Sequence, residues 1–276
     1  MTQHGNHNNT FVNDSELEHI YNYLLNNNYD IAELFIPEIF IKRLRIALAK
    51  IDICSFNEFT NKYNSNIIKY LTEKIICGET ELFRDEKFWS FLITNPEICF
   101  HPEKKILFFD QPTAEEIYSW IIINDMLKLC NTHKITINTP HYKAVNNINK
   151  GLLSLQKRCI KNKLNIILSK DIQLANNIIN NGKKLTYKPL FSYNININTT
   201  NILQPIQSKS LNIIFCRNRL LYYKNNYSET ISANLYRALK KDGYLFAGTH
   251  ENRQIWQSTG LLLINEKLGI YKKNED

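Results

Sequence analysis

The sequence predicts a chain in two parts, a helical domain followed by an α/β domain with a mainly parallel sheet, and three observations carry this. Apolar residues recur at helical spacing from Ser15 to about Asn95. Asn95, Pro96 and Pro102 then break the pattern, and from Lys105 onward short strand-like runs alternate with helical ones. Such alternation builds βαβ units whose crossovers place helices on both faces of a parallel sheet. The helical domain is expected over 15–96 and the α/β domain over 103–276, with the polar stretch 1–14 as a disordered tail.

In the first part, helices are expected to start near Ser15, Pro37, Ser55, Asn66 and Asp85. Pro37 suits a first helical turn, where its missing N–H costs nothing, and Ser55 with Glu58 has the spacing of a capping box. In the second part the strands are KILFF (Lys105–Phe109), KITIN (Lys134–Asn138), LNIIFC (Leu211–Cys216) and YLFAG (Tyr244–Gly248). Helices are expected over Thr113–Cys130, Tyr142–Lys150 and Tyr227–Leu239. The last two runs, Leu261–Ile264 and Gly269–Tyr271, are joined by NEKL, short enough for an antiparallel hairpin.

With 276 residues, 43% hydrophobic and 12% aromatic, the chain can build a sizeable core, which excludes a protein disordered for want of apolar surface. No apolar run approaches the roughly 20 residues that span a bilayer. The N-terminus has neither the basic start nor the apolar centre of a secretory signal, so a cytoplasmic protein is expected. The six cysteines, Cys54, Cys77, Cys99, Cys130, Cys159 and Cys216, contain no CxxC pair and read as reduced core thiols. A formal charge of +8 suits an anionic partner, but no RNA-binding or zinc-finger signature accompanies it, so nucleic acid is not the expected one. The histidines show no metal-ligand spacing, and no metal is expected.

In open α/β sheets ligands lie beyond the carboxyl ends of the strands, which directs attention to the residues after Phe109, Asn138 and Cys216. The stretches GETELFRDEKFWSFL (Gly78–Leu92), FFDQPTAEEIYS (Phe108–Ser119), IIFCRNRLLYY (Ile213–Tyr223) and LKKDGYLFAGTHEN (Leu239–Asn252) together resemble CheR-type chemotaxis receptor methyltransferases. The resemblance implies an N-terminal helical domain and a class I S-adenosylmethionine-dependent methyltransferase domain, Rossmann-like with a seven-stranded sheet. It also implies esterification of glutamates on receptor helices.

Carried over residue by residue, TELFR matches the family's T-x-F-F-R, so the resemblance puts Thr80 and Arg84 at the methionine end of the cofactor and the reaction centre. PTAEEIYS matches S-T-G-E-E-P-Y-S, which places Thr113, Glu115, Glu116, Tyr118 and Ser119 and makes Glu115 a cofactor contact, while Thr113 with Glu116 also reads as a capping box. Cys216, Arg217, Asn218 and Tyr222 match C-R-N-x-x-x-Y, whose arginine and tyrosine lie near the substrate cleft. Asn201 with Ile202 matches a pair that contacts adenine. The implied catalytic set is Arg84, Arg217 and Tyr222, with both guanidiniums expected on one cavity. The implied cofactor contacts are Thr80, Arg84, Glu115, Thr139, Asn201, Ile202, Arg217 and Asn218. Without the resemblance the same residues fit plainer roles: Arg84 capping helix carbonyls, Arg217 in a surface ion pair, the tyrosines as aromatic core. A carboxylate acceptor is already ionised at neutral pH, so His250 in GTHE is given no role as a base.

Two departures bear on the cofactor. Asp110, Gln111 and Pro112 stand where the family has small residues, and Asn138–Thr139 stand where it has an acid that bonds ribose hydroxyls. Weak S-adenosylmethionine binding is therefore expected, and a pseudo-methyltransferase acting as a protein-binding or regulatory module is the alternative. FIKRLRIALAK (Phe40–Lys50) resembles the family's Arg-rich helix, which implies that Lys42, Arg43 and Arg45 meet an acidic helix of a receptor or other protein. Leu152–Ser192, where the family often carries a small β-subdomain, shows no motif of its own.

Overall fold

The computed structural model describes residues 12–76, 81–100, 102–129, 132–150, 152–153, 178–181, 184–187, 193–199, 201–207 and 210–275. The chain divides into two compact units, Met1–Gly78 with Tyr222–Lys224, and Glu79–Leu221 with Asn225–Asp276.

The described part of the first unit holds α1 (Asp14–Asn26), α2 (Asp30–Leu34), α3 (Pro37–Ala49), α4 (Phe56–Lys62) and α5 (Ser65–Ile76). Local chemistry sets the starts. Asn13 Oδ1 accepts from the Glu16 N–H at 2.9 Å, and Pro37 opens α3. Ser55 Oγ accepts from the Glu58 N–H at 3.2 Å, while the Glu58 carboxylate reaches back to the Cys54 N–H at 2.8 Å, one residue beyond the usual return bond. The apolar faces meet in a core of Leu17, Ile20, Leu24, Phe40, Leu44, Leu48, Phe59, Leu71 and Ile75. Tyr222–Lys224 is held here by Ile36 N–H to the Tyr222 carbonyl (2.9 Å) and Lys224 N–H to the Leu34 carbonyl (3.0 Å). Most of the expected tail, residues 1–11, lies outside the described residues. Val12 is buried and Asn13 caps α1, so the last residues of the expected tail are part of the folded unit.

The expected boundary at 96–103 is corrected to Gly78/Glu79. The two helices between them, α6 (Glu86–Thr94) and α7 (Pro96–Cys99), are helical as the spacing predicts. They bury Phe88, Trp89, Leu92 and Cys99 in the core of the second unit. Periodicity reports that a helix has an apolar face but not which core receives it.

The second unit continues with β1 (Lys105–Phe108), α8 (Glu115–Met126), β2 (Lys134–Asn138), α9 (Tyr142–Asn149), β3 (Leu152–Leu153), β4 (Ile178–Asn181), β5 (Lys184–Tyr187) and β6 (Asn194–Asn198). It closes with β7 (Leu211–Phe215), α10 (Asn225–Ala238), β8 (Leu239–Phe246), α11 (Arg253–Gln257), β9 (Leu262–Asn265) and β10 (Ile270–Lys272). A seven-stranded sheet runs β6-β2-β1-β7-β8-β10-β9, parallel through β8 and antiparallel for the final β9/β10 pair. This is the class I methyltransferase-like α/β fold, with the expected terminal hairpin. The edge strand β6 was not legible in advance, and a three-stranded antiparallel sheet β3-β5-β4 stands in the segment without a motif, where the resembled family often carries a small β-subdomain. Among the described residues no helix is long and apolar enough to cross a membrane.

Register puts Phe108 beside Phe215, and their rings stack at 4.5 Å. Phe215 is also stacked with Trp89 (6.2 Å) and meets Phe246 edge-on (4.9 Å), so it joins α6 to the sheet. Phe215→Ala is expected to lower unfolding stability by about 3–5 kcal/mol, read from the denaturant midpoint. A loss below about 1 kcal/mol would contradict this packing.

Candidate functional site

The strand order reverses at β1, with β2 on one side and β7 on the other, which makes the crevice beyond their carboxyl ends the natural ligand seat. After β1, Phe109 still pairs with the sheet, its N–H donating to the Phe215 carbonyl at 2.8 Å. Asp110 then takes a left-handed φ of 49°, tolerated better by Asp than by most residues. Its carboxylate is wholly buried. Oδ2 accepts from Arg219 Nε at 2.9 Å and lies 2.9 Å from a terminal nitrogen of the same guanidinium, while Oδ1 lies 3.3 Å from His141 Nε2. One carboxylate thus ties the segments after β1, β2 and β7. Gln111 N–H donates to the Asn138 carbonyl (3.2 Å), and the Thr139 hydroxyl donates to the Gln111 carbonyl while accepting from the His141 N–H.

Arg217 forms a second buried cluster. Its terminal nitrogens reach Glu116 Oε1 at 2.9 Å and Asp85 Oδ2 at 2.5 Å, and one also donates to the Arg84 carbonyl at 3.3 Å. The guanidinium lies 4.0 Å from the centre of the Phe88 ring. Glu116 also accepts from Gln111 Nε2 at 3.0 Å. Burial pushes the Glu116 carboxyl above its usual range, and the neighbouring Arg217 offsets only part of that rise.

Glu251 supports the turn that carries both arginines. Its Oε1 accepts the N–H groups of Arg219 and Leu220, and Oε2 accepts from Trp256 Nε1 at 3.2 Å. Burial pushes its carboxyl up to about 8 despite those donors. Burial, then the nearby Glu251 and Asp110, push the Cys216 thiol well above its usual value, so it stays protonated.

The structure redistributes the expected site residues. Arg84 is half-buried, and its carbonyl, which accepts from Arg217 and from Trp89 Nε1 (2.9 Å), is what joins it to Arg217. Arg217, expected to face one cavity with Arg84, is committed to Asp85 and Glu116. Tyr222 belongs to the first unit, where its ring stacks on Phe35 at 6.1 Å and carries Arg43 at 4.1 Å. Thr139 is buried and spent on the loop ties above, which makes it a loop fastener where a ribose contact was expected. Glu115 is buried as the first residue of α8. The Thr113/Glu116 capping box is not formed, because Ala114 is the cap residue and Glu116 is drawn to Arg217 and Gln111.

Asn218 adopts φ 54° and donates from Nδ2 to Asp85 at 3.4 Å. Asn201 is exposed, its Oδ1 accepting from the Leu203 N–H at 2.9 Å, and Ile202 is buried in that turn, which α10 holds through Asn234 Nδ2 to the Leu203 carbonyl. Thr80 lies outside the described residues. Of the expected docking cations, Lys42 is exposed, Arg45 pairs with Asp14, and Arg43 turns inward to the Ile75 carbonyl. Asp85, Arg219 and Glu251 were missed as site residues. Arg219 and Glu251 are charges a few residues after the ends of β7 and β8, and Asp85 is the residue before α6.

Residues 156–260 match the family model described as CheR methyltransferase, SAM binding domain. Solved structures similar to the chain include N-methyltransferase NodS from Bradyrhizobium japonicum in complex with S-adenosyl-L-homocysteine, at 11% identity and TM-score 0.39, covering 70% of this chain and 91% of that one. An SAM-dependent O-methyltransferase from Thermotoga maritima is similar at 9% identity and TM-score 0.38, covering 72% and 68%. An O-methyltransferase family protein from Burkholderia thailandensis is similar at 8% and 0.41, covering 77% and 61%. The sheet order is that of the class I methyltransferase-like fold, and the family model, named for binding S-adenosylmethionine, matches 105 of the 276 residues. The crevice fits that group only in part. The strand ends supply the seat, but Asp110 is paired across it and the Thr139 hydroxyl is already engaged.

Two measurements check this account. Titration of the full chain with S-adenosylhomocysteine is expected to give a Kd of about 1 μM or weaker, and submicromolar binding would contradict it. Glu251 has a folded pKa raised above its unfolded value, so the native state holds a proton that the unfolded state releases. Stability should therefore fall as pH rises from about 4.5 towards about 8 and level off above. Glu251→Gln should flatten that fall in Tm. Parallel Tm profiles for the two proteins would refute the assignment.

Proposed function

We propose, from the premise that the chain is a CheR-type family member across residues 156–260, that it is a protein carboxyl methyltransferase homologue of low cofactor affinity whose acceptor is a glutamate on an acidic helix. The observation that supports this reading is the fork of Arg217, which already holds two carboxylates at the edge of the seat. The Asp85 side chain is 28% exposed and that of Glu116 15%, so an incoming carboxylate reaches and replaces Asp85 more readily. Such an exchange swaps one anion for another and leaves the buried charge balanced. Phe88 beneath the guanidinium keeps its plane in place. An ionised acceptor needs no base, so what this chain's residues supply is alignment. The bound cofactor would supply an activated methyl group.

Taken by itself, the first unit carries two cations suited to an acidic partner, Lys42 and Arg45, the latter in a surface pair with Asp14 that is worth little in water. A second reading, a binding or regulatory module without catalysis, draws support from Asp110, because the buried Asp110–Arg219 pair crosses the seat.

The test uses the full chain, methyl-labelled S-adenosylmethionine and a glutamate-bearing helical peptide, with base-labile methyl ester released as methanol. Ester on the glutamate peptide and none on its glutamine counterpart is expected. Arg217→Lys, which keeps the charge and loses the fork, should cut transfer by about tenfold or more with cofactor affinity changed by less than about threefold. Binding of the acidic peptide with no ester formed would select the second reading.

A further inference from the structure

We infer that Asp110 is an internal substitute for the carboxylate at the amino-acid end of the cofactor: it occupies Arg219, so that the chain holds its own seat closed until a ligand carboxylate takes its place. The inference rests on reading the carboxyl edge as an S-adenosyl site, and not on any activity toward glutamate.

Arg219 follows β7 and Asp110 follows β1, the two strands that flank the point where strand order reverses. Their side chains meet across that crevice, although 109 residues separate them in the chain. Arg219 Nε donates to Asp110 Oδ2 at 2.9 Å and a terminal nitrogen lies 2.9 Å from the same oxygen, so the guanidinium meets the carboxylate side-on through a single oxygen. Asp110 holds this position in a left-handed conformation, which aspartate tolerates better than most residues.

Charge balance then sets a competition. Asp110 is wholly buried, and Arg219, with His141 3.3 Å from the other oxygen, answers its charge. A ligand carboxylate brought to Arg219 while Asp110 stays would place two anions on one guanidinium without water between them. Displacement relieves this. A ligand with the same adenosine and sulfur but no amino-acid carboxylate faces no such competition.

The experiment compares S-adenosylhomocysteine with 5′-methylthioadenosine, which lacks that carboxylate, by calorimetry on the full chain. In the unmodified protein the two should bind within about threefold of each other. Asp110→Asn, similar in shape and uncharged, should tighten S-adenosylhomocysteine by about tenfold or more and change 5′-methylthioadenosine by less than about threefold. Adding Arg219→Met should abolish the gain.

Equal gains for both ligands, no gain in an Asp110→Asn protein with native near-ultraviolet circular dichroism, a gain that survives Arg219→Met, or no binding by either protein would each overturn the inference. If Asp110→Asn does not fold, the unmodified protein decides: a preference for S-adenosylhomocysteine above about tenfold overturns the inference, and near-equal affinities uphold it. The ligand pattern with no methyl ester formed removes the glutamate reading alone. Ester formation with cofactor affinity indifferent to Asp110 removes this inference alone.

Discussion

A carboxylate sealed from water has to be answered by a cation, and at the carboxyl edge of this sheet Asp110 imposes that condition on three chain segments at once. Burying an unpaired charge costs more than almost any single packing contact returns, so Arg219 comes to it as the counter-charge after β7, and His141 Nε2, after β2, lies 3.3 Å from its other oxygen. Once they are there, Gln111 and Thr139 can zip the first two segments together through backbone and hydroxyl bonds. A cation does intervene beside the aspartate, and it is one on which the sequence motifs are silent.

The turn after β7 divides labour between two nearby arginines. Arg217 goes to Asp85 and Glu116, at the starts of α6 and α8, and Arg219 to the segment after β1. Asn218 between them adopts a left-handed conformation, made possible by Gly248 opposite it. Gly248 has φ 93°, and a Cβ there would lie 2.6 Å from Asn218 Oδ1 and 2.9 Å from its backbone nitrogen. Glu251 completes the turn from below by accepting the N–H groups of Arg219 and Leu220. The residues that build this turn lie in CRNR and GTHE, so the second motif serves the site through its glycine and glutamate and not through its histidine.

Much of the fold was legible because it is written in local pattern. KILFF, KITIN and LNIIFC are runs of β-branched and aromatic residues between polar breaks, and each is a strand within one residue of its expected ends. The edge strand β6, NININ, was not, because asparagines alternate with its isoleucines in a chain where asparagine is common everywhere. The domain boundary was misplaced for another reason. Phe88, Trp89 and Leu92 lie at helical spacing whichever core they enter, and only the sheet's aromatic surface of Phe108, Phe215 and Phe246 decides that they enter the second unit.

By itself the sequence determined the class of fold and the order of most of its elements, since these depend on periodicity, caps and short segments whose partners are near in the chain. Only the tertiary structure decided what the charges there do. Arg217 meets Asp85 across 132 residues and Arg219 meets Asp110 across 109. A charged residue in a sequence carries no mark of which opposite charge will share its burial. That choice is made by the folded geometry, in which water is excluded and each buried charge must find the counter-charge within reach.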